Sequence, residues 1–473
     1  MRRKSATLEG RLRATLGSMA LLAIVGLRPA EPHMIAEPTV EAEHFKYGSI
    51  GTEESSGMPY WIWQVLPIMF KDKLPGPGGY ASFGFHWEPA HELPVGFTKV
   101  PGTITRIGIT CAFCHTTRVR LAPDARPTLI HAGPGNVTDP QRYARFLHTC
   151  AADPRFNAGD LLTEIAKLTT LSWTESSLYR FIYIPGTRTA LLKQRDSFAW
   201  MSRRPDYGPG RVDPFNPPKF SFLEQPMDET IGTADIPPIW NMQARRGLAL
   251  HWDGMNPSFR EVAVSSALGD GASRKAVDTA GLKRVEDWVM TLPAPRYPLP
   301  IDAQLASSGR PIYETNCASC HSLGQPRTGT VVPVDEVGTD RRRLDMWTLG
   351  AVDAFNAYGE GYPWKLSQFR KTNGYVSPLL DAIWVRGPYL HNGSVPTLAD
   401  LLEPQERRPK VFYRGFDLYD PVGVGFVSSG PEAERVGFKY DTTLPGNRNL
   451  GHAWGTDLPA DAKRALIEYL KTQ

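Results

Sequence analysis

The hydrophobic residues of this chain recur with the spacing of helices. Between residues 279 and 291, Leu282, Val285 and Trp288 fall on one face, and residues 462–470 repeat the pattern at the C-terminus. The same criterion predicts helices over residues 140–148, 159–168, 258–268 and 303–315. No period-two alternation is long enough to predict a sheet. The predicted fold class is therefore mainly α with long loops.

A proline-rich stretch marks the best boundary in the chain. Four prolines within residues 292–300 exclude a regular helix or a central strand there. Glycine (43) and proline (42) are plentiful throughout without any repeat, which is typical of turn-rich loops. We predict an N-terminal domain over residues 31–292 and a C-terminal domain over residues 301–473, each ending in an amphipathic helix.

The first 30 residues have the pattern of a secretory signal peptide. A basic start, Arg2 to Lys4, precedes an apolar stretch from Ala14 to Leu27, and a small-residue exit follows near Ala30. The apolar stretch is short for a membrane span, although an uncleaved anchor stays open. Removing residues 1–30 takes away six basic residues and one acid, which brings the net charge from +4 to about −1. We expect a periplasmic or secreted protein with no nucleic-acid partner and no membrane contact beyond this segment.

Four of the five cysteines lie in two Cys-x-x-Cys-His segments. These segments contain Cys111, Cys114 and His115, and Cys317, Cys320 and His321. The spacing lets two thiols reach both vinyl groups of one porphyrin, next to an imidazole that can bind the iron. With five Cys and eleven His in 473 residues, chance gives on the order of 10⁻³ such matches. We therefore predict two covalently bound haem c groups in two tandem cytochrome c-like domains, with haem 1 in residues 31–292 and haem 2 in residues 301–473.

Two other interpretations of these cysteines stay open. One is a thioredoxin-like dithiol, and the other is a Cys₄ zinc site shared between the two pairs. Neither requires a histidine directly after both pairs, so haem attachment is favoured. The remaining cysteine, Cys150, is expected to be a buried small apolar residue without a function.

The distal side of haem 2 has three conventional candidates after the proline-rich stretch, namely Met346, His391 and His452. The distal ligand matters because it decides between electron transfer and chemistry at the iron. Met346 lies in a strongly charged context, so a His/Met pair is the weaker interpretation.

Two stretches of the chain resemble the bacterial dihaem cytochrome c peroxidase superfamily. The first runs from Arg386 to Val395 and contains Pro-Tyr-x-His-x-Gly-Ser, with His391 as its histidine. The second is His-Trp-Asp-Gly at residues 251–254, which looks like the superfamily's Trp-Asp-Gly. The resemblance covers most of the chain from about residue 100 onward. It implies that Arg386 and His391 lie at haem 2 and that Trp252 mediates electron exchange between the haems. It also leaves open a bound Ca²⁺ ion between the two domains.

Within this superfamily, the chain looks more like the dihaem rubber oxygenase branch. The similarity rests on Tyr-Trp-Ile-Trp-Gln-Val-Leu-Pro at residues 60–67, on the long first half, and on residues 446–452. It implies that His452 is the distal ligand of haem 2, with His391 beside the propionates. From the residues alone, both histidines stay candidates.

Haem 1 departs from the peroxidase pattern, in which a distal histidine on a mobile loop caps the iron. His131 follows His115 by 16 residues, but its surroundings do not match that loop. We expect haem 1 to be five-coordinate or weakly capped and open to O₂ or H₂O₂, with ligation by His131 as the alternative.

Three functions are compatible with this pattern. The favoured one is an exported haem oxidoreductase that activates O₂ or H₂O₂ at haem 1, with haem 2 as the electron-transfer site. Its partner would be a small apolar organic substrate or a small redox protein that donates electrons. The alternatives are a cytochrome c peroxidase in the strict sense and a non-catalytic electron-transfer cytochrome.

Overall fold

In the computed structural model, which describes residues 39–473, the helices predicted from apolar spacing are all present. One of them precedes the proline-rich stretch and runs from Thr279 to Thr291, with Leu282 and Val285 buried on its inner face. It begins where the side chain of Asp278 accepts hydrogen bonds from two N–H groups of the first turn, which stabilises a helix start. The predicted signal peptide, residues 1–30, lies outside the described residues.

Helices account for most of the regular structure on both sides of the proline-rich stretch. Before it lie α1 (Val40–Tyr47), α2 (Thr52–Ser55), α3 (Tyr60–Met69), α4 (Cys111–Cys114), α5 (Pro140–Ala152), α6 (Ala158–Leu168), α7 (Trp173–Leu178), α8 (Ile184–Ser197), α9 (Asn216–Ser221), α10 (Phe259–Gly269) and α11 (Thr279–Thr291). After it lie α12 (Ala303–Asn316), α13 (Ala318–His321), α14 (Val334–Val337), α15 (Arg342–Asp345), α16 (Leu349–Ala357), α17 (Leu398–Leu401), α18 (Pro431–Val436) and α19 (Ala460–Leu470). A π-helical turn, Tyr179–Tyr183, joins α7 to α8.

Short strands correct the expectation that no sheet would form. Helices hold 42% of the described residues and strands 11%, so the fold fits the mainly α expectation only in part. Alternation over two to four residues does not stand out in a sequence, which is why these strands were not predicted. They are β1 (Met58–Pro59), β2 (Phe97–Val100), β3 (Arg106–Ile109), β4 (Thr116–Val119), β5 (Thr128–His131), β6 (Arg211–Val212), β7 (Ala234–Asp235), β8 (Val331–Pro333), β9 (Gly374–Val376), β10 (Val411–Arg414), β11 (Tyr419–Asp420), β12 (Gly425–Phe426) and β13 (Phe438–Asp441).

All of these strands pair antiparallel in small sheets. β1, β3 and β2 form a three-stranded sheet in that order, and the rest form two-stranded ladders: β4 with β5, β6 with β7, β8 with β9, β10 with β13 and β11 with β12. In the β4–β5 ladder, Thr116 lies opposite His131. The first Cys-x-x-Cys-His segment is therefore held between β3 and β4, at the edge of two sheets.

Residues on both sides of the proline-rich stretch share one large apolar core, and the described residues, 39–473, lie in a single compact unit. The stretch itself has no helix or strand, as predicted. Its Pro295 carbonyl accepts a hydrogen bond of 3.0 Å from the buried indole of Trp384, and the buried Asp417 pairs with both Arg118 and Arg120. The division into domains at this stretch stays a prediction.

The two helices that frame the second Cys-x-x-Cys-His segment pack closely against each other. α12 leads into Cys317, and α19 lies across it at Gly309. A Cβ atom built on Gly309 would lie 1.9 Å from the carbonyl oxygen of Ala465 on α19. Only glycine allows this backbone approach, which fixes α12 and the turn that follows it.

Candidate functional site

The first Cys-x-x-Cys-His segment is a single helical turn anchored on both sides. Thr110 caps α4, its side chain accepting from the N–H of Ala112. Phe113 lies between the two cysteines in this turn, and its ring centroid is 5.4 Å from those of Phe85 and Phe97. Because Phe113 points into this aromatic core, the two cysteines and His115 are left to line a cavity on the other side.

The imidazole of His115 is oriented by one backbone oxygen. Its Nδ1 lies 2.9 Å from the carbonyl oxygen of Pro237 and donates to it, which leaves Nε2 free to bind a metal. Burial lowers the pKa of His115 to about 4, so the ring is neutral near pH 7. A neutral imidazole with a fixed tautomer is what ligation of iron requires.

The second segment repeats this arrangement. Cys317 and Cys320 also line the cavity, and the Nδ1 of His321 lies 2.7 Å from the carbonyl oxygen of Pro378. Burial lowers the pKa of His321 as well. Both histidines therefore have the same tautomer fixed by the same kind of acceptor.

His452 lies against His321, with 6.2 Å between the two ring centroids. A metal bound between two imidazoles, about 2 Å from each nitrogen, holds the ring centroids about 6 Å apart, so this pair fits one iron. The pKa of His452 is lowered to about 4, first by burial and then by the neighbouring His321. Both rings are neutral near pH 7 and can serve as ligands.

A buried arginine holds the loop that carries His452. The guanidinium of Arg408 donates to the carbonyl oxygens of Asn449 and Gly451 at 2.8 Å and to that of His452 at 3.2 Å. Gly451 has a φ of +73°, and a Cβ atom there would lie 2.4 Å from the carbonyl oxygen of Val337. The loop therefore docks on α14 only with glycine at this position.

His391, the other histidine candidate, is engaged elsewhere. Its Nε2 lies 3.0 Å from the hydroxyl of Tyr375, and the two rings stack with centroids 4.0 Å apart. Burial lowers the pKa of His391 well below its usual value. Met346 is fully buried in the large core. This geometry favours His452 over both as the partner of His321.

One cavity of about 1080 Å³ is lined by both Cys-x-x-Cys-His segments. Pockets for single small ligands span about 300–1,000 Å³. The cavity wall is mostly apolar and also holds His452, His391 and Trp252. The residues present therefore fit haem: each segment offers two thiols and a neutral imidazole to a large apolar space.

Arg386 supplies a positive charge to the cavity wall. One of its Nη atoms lies 2.9 Å from Asp381, and its buried Nε has no partner within residues 39–473. Burial lowers its pKa to about 10, so the guanidinium stays charged near pH 7. A charged donor with an unused N–H at this position could bind a haem propionate.

The two rival interpretations of the cysteines gain no support. All five cysteines are free thiols. Burial raises the pKa of Cys111 to about 12 and that of Cys317 to about 11, whereas a redox-active dithiol needs a lowered pKa. Within residues 39–473, no group of cysteines lies close enough to hold a shared metal ion. Cys150 is fully buried, as expected.

Trp252 joins the two halves of the site. Its indole Nε1 donates to the carbonyl oxygen of Asp235 at 2.6 Å, and its own carbonyl accepts from the N–H of Val376 at 2.8 Å. Asp235 is two residues from Pro237, the acceptor of His115, and Val376 is two residues from Pro378, the acceptor of His321. The tryptophan thus contacts the backbone segments that orient both histidines.

His131 is placed away from the cavity lining. Its Nε2 lies 3.5 Å from a carboxylate oxygen of Glu88. Hydrogen bonding with His131, followed by that of Lys46 and Tyr47, lowers the pKa of Glu88 to about 2 despite partial burial. This contact favours a structural role for His131 over ligation of haem 1.

The part of the chain that the structure describes offers no carboxylate cluster between the halves for calcium. The one cluster of His, Cys, Asp or Glu close enough to hold a metal there is Glu43, Glu88 and His91. The ammonium of Lys46 already lies 2.6 Å from both carboxylates. The Ca²⁺ expectation stays a prediction.

Two residues of the cavity wall were not singled out from the sequence. His251, next to Trp252, has a φ of +63° and a buried Nε2 without a partner within residues 39–473. Its ring lies against Phe215, with centroids 5.6 Å apart. The pKa values of Cys111 and Cys114 are raised first by burial and then by the nearby carboxyl of Asp270, which follows α10. Its own pKa is raised to about 7 by burial. His251 could have been found from its position beside the Trp-Asp-Gly stretch, whereas Asp270 carried no signal.

Residues 374–413 match the model of the family described as RoxA-like, cytochrome c-like. These residues include the stretch from Arg386 to Val395 and lie outside both Cys-x-x-Cys-His segments. The match supports a cytochrome c-like domain, which implies covalently bound haem c, and suggests a haem-containing oxidoreductase.

Two proteins of Sinorhizobium fredii are similar to this chain. Uncharacterized protein y4iM is 30% identical over 285 residues, which cover 50% of this chain and 64% of that protein. Uncharacterized protein y4iJ is 28% identical in an alignment of 510 positions, which covers 82% of this chain and 83% of that protein. The match to the first relative thus spans somewhat less than two thirds of its length.

Proposed function

We propose that this chain is an exported dihaem c-type cytochrome that acts as a haem oxidoreductase. Its first site, at Cys111, Cys114 and His115, would meet O₂ or H₂O₂, and its second site, at Cys317 and neighbouring residues, would transfer electrons. The RoxA-like match supports the haem oxidoreductase class. Export and a periplasmic or secreted location rest on the predicted signal segment at residues 1–30.

The observation that carries this proposal is the different surroundings of the two motif histidines. His321 has His452 at 6.2 Å between ring centroids, whereas no imidazole within residues 39–473 lies opposite His115 at a comparable distance. Two imidazoles on one iron leave no position for a substrate, whereas an iron held by a single axial side chain keeps one position open.

Haem bound in this way supplies one-electron chemistry, and activation of O₂ or H₂O₂ where one iron face is open. The protein itself would orient the iron-binding histidines and keep water away from the haems. The Pro237 and Pro378 carbonyls fix the tautomers of His115 and His321, and the apolar cavity wall excludes water. Trp252 contacts the segments that carry both acceptors, which supports a role for its ring in electron exchange between the two sites.

The test is spectroscopy of the purified, haem-loaded protein. We expect two haems per chain, with one high-spin and one low-spin signal in the electron paramagnetic resonance spectrum of the ferric protein. Addition of CO to the reduced protein should change the absorption of half of the haem. A protein with two low-spin haems that ignores CO, O₂ and H₂O₂ would be an electron carrier, and the proposal would be wrong.

Paired serine variants assign the signals to the sites. Cys111→Ser with Cys114→Ser should abolish the high-spin signal and the CO response. Cys317→Ser with Cys320→Ser should abolish the low-spin signal instead. Oxidation of a reduced small cytochrome c by H₂O₂ would identify a strict peroxidase, and O₂ consumption with an apolar alkene or aromatic substrate would identify an oxygenase.

A further inference from the structure

Four large apolar side chains are exposed within 15 consecutive residues, 168–182, at the end of α6, on α7 and on the π-helical turn that follows it. Trp173 is 84% exposed, Phe181 is 74%, Ile182 is 55% and Leu168 is 46%. Single exposed apolar residues are ordinary on protein surfaces, but a group of them marks an interaction site. We refer to these four side chains as the apolar ridge.

The π-helical turn Tyr179–Tyr183 is what turns part of the ridge outward. Tyr179 and Ile184, five residues apart, are both buried. In a regular α-helix, residues five apart point in clearly different directions, and the extra residue of a π-turn brings them to the same side. Phe181 and Ile182, between them, are therefore forced towards solvent. Trp173 lies eight residues before Phe181, about 12 Å along the same helical run and on a similar face.

The surroundings of the ridge carry a net positive charge. From Leu168 to the end of α8 the chain contains four basic side chains and two acidic ones, Glu175 and Asp196. Within residues 39–473, Arg180, Arg188 and Lys193 make no ion pair, and only Arg195 does, with the following Asp196. Exposed aromatic and aliphatic side chains beside unpaired cations on a helix are the pattern of elements that lie in a membrane interface.

We propose that the apolar ridge and its cations bind the surface of an anionic phospholipid bilayer. Trp173, Phe181 and Ile182 would enter the interfacial region, and Arg180 and Lys193 would lie near lipid phosphates. A second copy of the chain is disfavoured, because a symmetric contact would set the three cations that are unpaired among the described residues, Arg180, Arg188 and Lys193, against the same three of the other copy. Within residues 39–473, no helix is both long and apolar enough to cross a membrane, so the contact is peripheral. The proposal departs from the expectation of no membrane contact beyond the signal segment.

The helix α8 connects the ridge to the cavity. It begins at Ile184, two residues after Ile182, and ends at Ser197, and the exposed Arg195 and Asp196 near its end line the cavity. A bilayer bound at the ridge would lie about 20 Å along this helix from the cavity wall. Lipid binding itself does not depend on the proposed reaction and can be measured separately from it.

Vesicle flotation of the full haem-loaded protein tests the proposal. We expect binding to phosphatidylcholine vesicles that contain phosphatidylglycerol, and binding about tenfold weaker to phosphatidylcholine alone or at high salt. Trp173→Ser, Phe181→Ser and Ile182→Ser together should reduce binding by about tenfold or more. Arg180→Glu with Lys193→Glu should do the same for anionic vesicles only.

Matched variants elsewhere control for exposure and charge. Leu349 and Val422 are 69% and 83% exposed, so Leu349→Ser with Val422→Ser should leave binding unchanged. Arg126→Glu with Lys275→Glu, at exposed positions without an ion pair within residues 39–473, should have a clearly smaller effect than the ridge pair. The proposal is overturned if the parent protein does not float with anionic vesicles, if it binds neutral vesicles equally well, or if the ridge variants only dissociate a dimer. An unchanged haem spectrum shows that each variant is folded.

Discussion

The two Cys-x-x-Cys-His segments are alike up to the histidine and differ in what lies beyond it. Both histidines donate Nδ1 to a proline carbonyl, Pro237 for His115 and Pro378 for His321. Among the described residues, only His321 faces a second imidazole, His452, at a spacing that fits one iron. Under the proposed function, five residues in a row would attach each haem, and residues more than a hundred positions away would decide whether its iron is open or closed.

The surroundings of the two sites differ in charge as well. Around the first site, Asp270 is the carboxyl that approaches the cysteine pair, and its pKa is raised to about 7 by burial. Around the second site, the buried Arg408 holds the loop of His452 by its carbonyl oxygens. Hydrogen bonds thus hold the loop of His452 beside His321, while Asp270 brings a carboxyl to the first cysteine pair.

The largest expected effect comes from opening the closed site. His452→Ala removes the imidazole that faces His321, so we expect the whole low-spin signal to disappear and a second CO-responsive haem to appear. Electron paramagnetic resonance and CO difference spectra measure both changes. His391→Ala is the control, because His391 bonds to Tyr375 and should leave the low-spin signal in place. The reverse result would identify His391 as the ligand.

A second prediction concerns the residue between the two sites. Trp252→Phe removes the indole that bonds to Asp235, and we expect electron exchange between the haems to slow by about tenfold or more. Flash photolysis of the half-reduced CO complex measures this rate. Trp384→Phe is matched to it, since the buried indole of Trp384 also donates to a backbone carbonyl. Equal rates in the parent and the Trp252 variant would rule out the bridging role.

Asp270 should make the first site sensitive to pH. The pKa of its carboxyl is raised to about 7 in the folded state by burial, against about 3.9 in an unfolded chain. The folded state therefore binds the extra proton, and the stability it contributes is present below pH 4 and lost as the pH rises to 7. Asp270→Asn should be more stable than the parent above pH 7, by about 2 kcal/mol after allowance for hydration of the cavity, and equal to it near pH 4.

Thermal unfolding followed from pH 4 to pH 8 measures this difference. Asp196→Asn is a suitable control, because Asp196 also lines the cavity but is exposed and paired with Arg195. A parallel pH profile of the parent and the Asp270 variant would show that the carboxyl is hydrated in the folded protein.

The smallest expected effect concerns His131 and tests whether it belongs to the first site at all. His131→Leu removes the contact that helps to lower the pKa of Glu88 to about 2, so we expect a loss of about 1 kcal/mol of stability near pH 7. In the parent protein, the lowered pKa of Glu88 stabilises the folded state above pH 4.5, the ordinary pKa of a glutamate. This stabilisation is lost as the pH falls towards 2. Acid unfolding should begin at higher pH in the variant, and Glu88→Gln should remove this transition. A change in the high-spin signal of His131→Leu would instead make His131 a ligand.

Local patterns in the sequence were sufficient for much of the fold. Apolar spacing located helices such as α11 and α19, because a helix buries one face whatever it packs against. The strands escaped detection because most of them are only two to four residues long and are stabilised by partners far away, such as β10 with β13. The resemblance to a known family pointed to Trp252 and His452, but the spacing of residues along the chain could not predict where either side chain lies in the fold.

What the sequence alone determined is a pattern that predicts haem attachment: two cysteines and a histidine within five residues act locally, so the pattern is recognisable without a fold. Only the tertiary structure decided that His452 faces His321, since that depends on a loop held over α14 by Arg408 and by the close approach at Gly451. It also decided where Asp270 and His251 lie and that the π-turn exposes Phe181, because burial and orientation arise only when distant segments pack together.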